Sequence, residues 1–156
     1  MTDLTEQTSP VRFGALPAAR ADGLHRALAR ACRAGAFAAL AADGSADRIL
    51  QVSDVVVSLA WPVTNERQRS VLAAMAARKP VIVLETTSTA EWPALDPQTW
   101  RPRGFGTDPP IVVSIDPRDE EHSLVLAIQR LSNDAALRAR LADAGHAWAT
   151  KHTKTT

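Results

Sequence analysis

The stretch Asp54–Pro93, DVVVSLAWPVTNERQRSVLAAMAARKPVIVLETTSTAEWP, decides how this chain folds. Val55–Val57 is a short β-branched run, the pattern of a strand covered on both faces. Glu66–Arg78 follows, with Val71, Leu72, Met75 and several alanines at helical spacing, and Pro80 stops that helix. Val81–Leu84 is a second apolar run. Two such runs joined by a helix of this length make a βαβ crossover with parallel strands. Ligands of open parallel sheets lie at the carboxyl ends of the strands, where helix N-termini present free N–H groups. The segments that fall there are Trp61–Gln68 and Glu85–Trp92, and a small-molecule site is expected in them.

The flanks extend this unit. Met1–Pro10 is polar and reads as a disordered leader, Val11–Leu16 as a first short strand, and Ala21–Ala34 as an amphipathic helix with Leu24, Leu28 and Cys32 on one stripe. Ala36–Ala42 fits either a helix or a poor strand. Asp43-Gly44 is a turn, and Ser45 can cap a short helix over Ala46–Val52. Glu91–Pro110 holds five of the ten prolines, two glycines and two of the four tryptophans, so it reads as a long surface excursion partly ordered by its tryptophans. Ile111–Ile115 is a further buried strand. Pro117–Leu131 and Ala135–Ala149 are helices, the second capped by Ser132 or Asn133, and the basic tail from Lys151 frays. Helix and strand alternate and two helices close the chain. The expected fold is α/β: a single three-layer Rossmann-like domain over residues 11–150, with a small parallel sheet and two closing C-terminal helices.

Composition narrows the function classes. The 156 residues suffice for one domain with a core. A net charge of +1 gives no electrostatic case for nucleic acid. The single cysteine, Cys32, forms no internal disulfide, which fits a reducing cytoplasm. No run approaches the ~20 apolar residues of a transmembrane helix, and the polar start is unlike a signal peptide. His25, His122, His146 and His152 are scattered without ligand spacing, so no metal is assigned. Gly104-Phe105-Gly106 lacks the third glycine of a dinucleotide fingerprint.

Several landmarks occur in order and register over Ala46–Lys151. Ser53–Val57 resembles an "aDvvv" strand. Trp61-Pro62, Glu66 and Leu72–Ala76 resemble a variant of an acidic motif in which "YPT-x-GE" precedes "LL-x-AMA". Lys79–Val83 resembles "GKPVIV", and Ala90–Pro93 resembles "AELP". Leu131–Asp134, Leu137-Arg138, Leu141 and Ala144-Gly145 resemble a closing pair of helices. Together they resemble the donor-binding, C-terminal half of retaining GT-B glycosyltransferases. The resemblance implies hexosyl transfer from a nucleotide-sugar to an unknown acceptor, with no metal and no cofactor beyond the donor itself. It implies Glu66 as the catalytic-site donor contact. Asn65, Arg67, Thr87, Ser88 and Glu91 would complete the donor site, and Arg67 or Arg69 would supply charge to the diphosphate. The acceptor side would come from a partner protein.

The chain departs from the family at identifiable places. Its two glutamates eight positions apart align with Asn65 and Ala73, which removes the carboxylate that typically grips the ribose. Thr87-Ser88 stand where two glycines are common, and Arg78 replaces another. The bland readings stay open beside the functional ones. Glu66 and Glu91 read also as first-turn acids stabilised by a helix dipole, Asn65 as a helix cap, and Trp61 as a packing residue. Arg67 and Arg69 read as solvated helix residues, and Trp100–Arg103 as an exposed basic loop or a docking patch. Two other functions remain: a degenerate, non-catalytic interaction module, and a deoxyribosyltransferase-like enzyme, which shares the "DVVV" and "KPVI" strands but not the closing helices.

Overall fold

Residues 11–15, 37–40, 50–58, 65–85, 92–103 and 109–153 are described in the computed structural model. The strands are β1 (Val11–Ala15), β2 (Phe37–Leu40), β3 (Val55–Ser58), β4 (Val81–Leu84), β5 (Ala94–Leu95), β6 (Pro102–Arg103) and β7 (Val112–Ile115). The helices are α1 (Asn65–Ala76), α2 (Glu120–Asn133), which follows a 3-10 turn at Pro117–Asp119, and α3 (Ala135–Thr153). All seven strands join one sheet in the order β2-β1-β3-β4-β7-β5-β6. Every pairing is parallel except β5 with β6. The order places β3 and β4 side by side across α1, as the βαβ reading of Asp54–Pro93 requires.

The apolar runs are buried on both faces because helices cover both. Val55, Val57, Ile82, Leu84, Val113 and Ile115 pack with Leu124, Ala127, Ile128 and Leu131 of α2 and with Leu137 and Leu141 of α3. On the opposite face Val56, Val81, Val83 and Val112 pack with Val71, Ala74 and Met75 of α1 and with Ala149 of α3. Helix α3 therefore begins on one face and ends on the other. Its 19 residues span about 28 Å, long enough to do so. It passes the amino end of the sheet: Gly145 lies against the carbonyl of Ile111, just before β7, and the His146 ring meets the Ala76 carbonyl at the end of α1. Trp148 stacks at a tilt on Trp92, their ring centroids 4.9 Å apart.

Several boundaries differ from the sequence reading. Phe37–Leu40 is a strand, since pairing with β1 supplies the hydrogen bonds that its alanine-rich sequence leaves undecided. Glu91–Pro110 is not simply a surface excursion: Trp92–Leu95 is buried, and β5 extends the sheet alongside β7. Helix α1 stops before Pro80 as expected but ends at Ala76, two residues short of Arg78, which adopts a left-handed φ of 61°. Neither Ser132 nor Asn133 caps α3. Asp134 does, its Oδ1 accepting from the Leu137 N–H at 2.9 Å. The helix also continues through Lys151 to Thr153, into the stretch read as frayed. Of the helix expected over Ala46–Val52, residues 50–52 are helical. The leader and the helix expected over Ala21–Ala34 lie outside the described residues.

Candidate functional site

Strand register builds the site's floor. Ser58 lies opposite Val83, and Val83 opposite Ser114, near the carboxyl ends of β3, β4 and β7. Alternation puts this row on the α1 side of the sheet, because Val57, Leu84, Val113 and Ile115 point to the α2 side. Both serines are buried. Polar side chains at this depth of a parallel sheet mark where the apolar core ends.

Charged residues follow where the strands run out. Glu85, the first residue after β4, continues the ladder by donating its N–H to the Ile115 carbonyl at 2.9 Å. Its Oε1 accepts from Nη1 of Arg103. Nη2 of the same guanidinium donates to the Ser114 carbonyl at 2.7 Å, an acceptor left over where β5 ends. Arg103 thus reaches from the β6 edge to the end of β4. Its Nε and the Ser114 Oγ are both buried without a hydrogen-bond partner.

Asp116, the first residue after β7, accepts from the Arg118 N–H at 2.9 Å and from the Arg118 guanidinium at 3.0 and 3.2 Å. The side-chain bonds from Arg118, then the backbone bond, hold the Asp116 carboxyl below its ordinary range, and the Arg103 charge adds to them. Asp116 in turn holds the Arg118 proton more firmly, with help from Glu85. Two carboxylates and two guanidiniums therefore form one electrically neutral cluster at the ends of β4 and β7.

The hairpin that carries Arg103 is pinned to α2. Gln98 donates to Asp119 Oδ2 at 2.9 Å and to Ser123 Oγ at 3.3 Å. The Arg130 guanidinium lies 5.0 Å above the Trp100 ring. The basic stretch Trp100–Arg103 is thus only partly the exposed loop of the sequence reading. Arg101 is exposed, whereas Arg103 is turned into the sheet edge.

Asn65, Glu66 and Arg67 form the first turn of α1, which begins seven residues after β3 ends. Arg69 is exposed. Ala73, at the second glutamate position, is also exposed. Thr87, Ser88 and Glu91, with Trp61, lie outside the described residues. Among the described residues no three His, Cys, Asp or Glu side chains form a metal-holding group. None of their helices is long and apolar enough to cross a membrane.

Of the clustered residues, Glu85 opens a segment in which a small-molecule site is expected and Arg103 closes the stretch read as a basic loop or a docking patch, whereas Ser114, Asp116 and Arg118 were not singled out. Glu85 and Asp116 had a signal, since each is the first charge past a buried parallel run. Arg103 had none, because only strand pairing brings it there. The class defined by fold and site is an α/β domain whose carboxyl edge carries two arginine–carboxylate pairs. No protein-family model matches the sequence, and no curated protein matches it. The glycosyltransferase resemblance rests on the motifs quoted above.

Proposed function

We propose that this domain binds a nucleotide-sugar, as the donor half of a retaining glycosyltransferase that moves a hexosyl group to an acceptor held by a partner. One observation carries the reading. The two segments that resemble donor-contacting loops follow β3 and β4, which are adjacent parallel strands, and two arginines gather at that same edge. A sugar diphosphate needs such an arrangement: cations for its phosphates and acceptors for its hydroxyls. Glu66, on the first turn of α1, is the proposed donor contact, with Asn65 and Arg67 beside it. Thr87, Ser88 and Glu91 complete the site from the segment after β4. The protein's own cations stabilise the leaving diphosphate.

A second reading has its own observation. Both arginines of the cluster already face carboxylates, and Ala73 leaves the ribose position without an acid. That is the chemistry of a fold retained for protein interaction without catalysis.

A thermal-shift scan against UDP, GDP, ADP, TDP and their common sugar conjugates at millimolar concentration separates the two. A ligand at 100 times its dissociation constant stabilises the native state by about 2.7 kcal/mol. A shift with one base, lost in Glu66→Ala, supports donor binding and names the donor class. A cooperatively melting protein that shifts with none of them overturns donor binding by this chain, and the interaction module then leads.

A further inference from the structure

We infer that Arg103, together with Ser114, is an oxyanion receiver, and that Glu85 is its built-in competitor, holding the guanidinium until a phosphate-class ligand replaces the carboxylate. The inference deepens the donor reading and rests on it only for identifying the oxyanion as part of a sugar nucleotide.

The donors come first. A guanidinium offers five N–H groups in a fixed fork, matched to the oxygens of phosphate or carboxylate. Arg103 uses Nη1 on Glu85 and Nη2 on the Ser114 carbonyl, while its Nε is buried and has no acceptor. Ser114 is 2 % exposed, and its hydroxyl also has no partner. The two residues are in contact, since the carbonyl that accepts from Arg103 Nη2 belongs to Ser114. A folded chain rarely leaves one buried polar group unmatched, and two on residues already bonded to each other point to a ligand. That ligand must be rich in acceptor oxygens, since Arg103 can only donate and the serine hydroxyl can donate as well.

The position fits. The receiver lies on the α1 side of the sheet, beside the start of the segment that follows β4. Arg118 adds a second positive charge on a largely exposed side chain that is paired with Asp116. The Glu85–Arg103 pair is about one-third exposed on each side, at 37% and 34%. Pairs with that much water around them are held weakly, so an anion of higher charge can displace the carboxylate.

The probe is inorganic pyrophosphate, titrated into the full chain at low ionic strength and followed by backbone amide shifts. Saturable binding is expected. Glu85→Gln should tighten it about threefold or more, by removing the competitor. Asp143→Asn makes the same charge change on α3, where its carboxylate pairs with Arg78, and should leave binding within about twofold. Arg103→Gln should weaken binding about tenfold or more, and Arg103→Lys, which keeps charge but loses the fork, should fall between. Ser114→Ala should weaken binding without lowering the melting temperature, because its hydroxyl has no partner to lose. Arg101→Gln, on the same hairpin, is the control for general attraction. Three results overturn the inference: no saturable binding in the Glu85→Gln chain, no gain from that change, or equal losses in the Arg101 and Arg103 variants. In the first case the two orphaned atoms hold an internal water. Pyrophosphate behaving as stated while no nucleotide-sugar binds removes the donor reading alone. Nucleotide-sugar binding that ignores Arg103→Gln removes this inference alone.

Discussion

Arg78 shows how one side chain can sit against its own backbone preference. Its N–H donates to the Met75 carbonyl at 3.0 Å, and the Lys79 N–H donates to the Ala74 carbonyl at 3.1 Å. These are the two bonds of a Schellman stop, whose left-handed residue is usually glycine. A side chain there costs about 1 kcal/mol. The ion pair with Asp143, at 2.8 Å between two exposed groups, returns only a few tenths of a kcal/mol. Arg78→Gly should therefore stabilise the fold by about 0.5 kcal/mol, and Arg78→Val should destabilise it by about 1 kcal/mol or more. Denaturant midpoints for the two variants should fall on opposite sides of the parent. Asp134 shows the opposite case, a residue that suits its place. It accepts from Leu137 and pairs with Arg130 at 3.0 Å. The backbone bond first, and Arg130 second, hold its carboxyl below the ordinary value. A carboxyl lowered on folding stabilises the fold above its unfolded value, about 3.9, and that contribution is lost as pH falls through the lower folded value. Asp134→Asn keeps a cap without the charge. It should melt below the parent at pH 7 and match it progressively more closely below about pH 4, whereas Asp134→Ala should melt lowest at pH 7.

At the scale of elements, the two closing helices are decided by what they touch. A Cβ on Gly145 would meet the Ile111 carbonyl at 3.4 Å and Met75 at 3.7 Å, which is ordinary contact. Gly145→Ala should then be tolerated and gain up to about 1 kcal/mol of helix propensity. Gly145→Leu should push α3 off α1 and cost about 2 kcal/mol or more. Thermal melts of the two variants test the spacing. The β5–β6 hairpin depends on Trp100, which packs against the α2-side core and receives Arg130. Trp100→Ala should cost about 1–2 kcal/mol, below the loss of a fully buried aromatic because Trp100 is only half-buried. It should also loosen Arg103, visible as faster exchange of the Arg103 amide, since Pro102 has none. This hairpin was the part of the fold least legible in the sequence. Two-residue strands carry no period, and five prolines between residues 91 and 110 read as loop. By contrast β3, β4 and β7 were legible, because strands buried on both faces must be continuously apolar.

At the scale of the molecule, stability and site lie at opposite ends of the sheet. Helix α3 ties both layers together across the amino ends, through Leu137 and Leu141 on one face and Ala149 on the other. Of the three buried polar atoms without a partner among the described residues, Ser114 Oγ and Arg103 Nε belong to the carboxyl-end cluster, and Ser53 Oγ lies just before β3 at the amino end. Amide exchange should follow this division: slowest in β3, β4 and β7, whose residues are all buried, and faster in the edge strand β6. Exchange in β7 as fast as in β6 would contradict the described core.

The sequence by itself determined the layers. Runs of valine and isoleucine cannot remain in water, and a helix of α1's length between two of them brings the second strand back parallel to the first. It also determined which end of the sheet would be polar, because Glu85 and Asp116 immediately follow buried runs. Tertiary structure alone decided that Arg103 meets Glu85, 18 residues away, and that Asp134 rather than its neighbours caps α3. The reason is physical. Burial is written into local composition, whereas the partner of a charge depends on which strand edges pair, and a two-residue strand has too few residues to announce its neighbour.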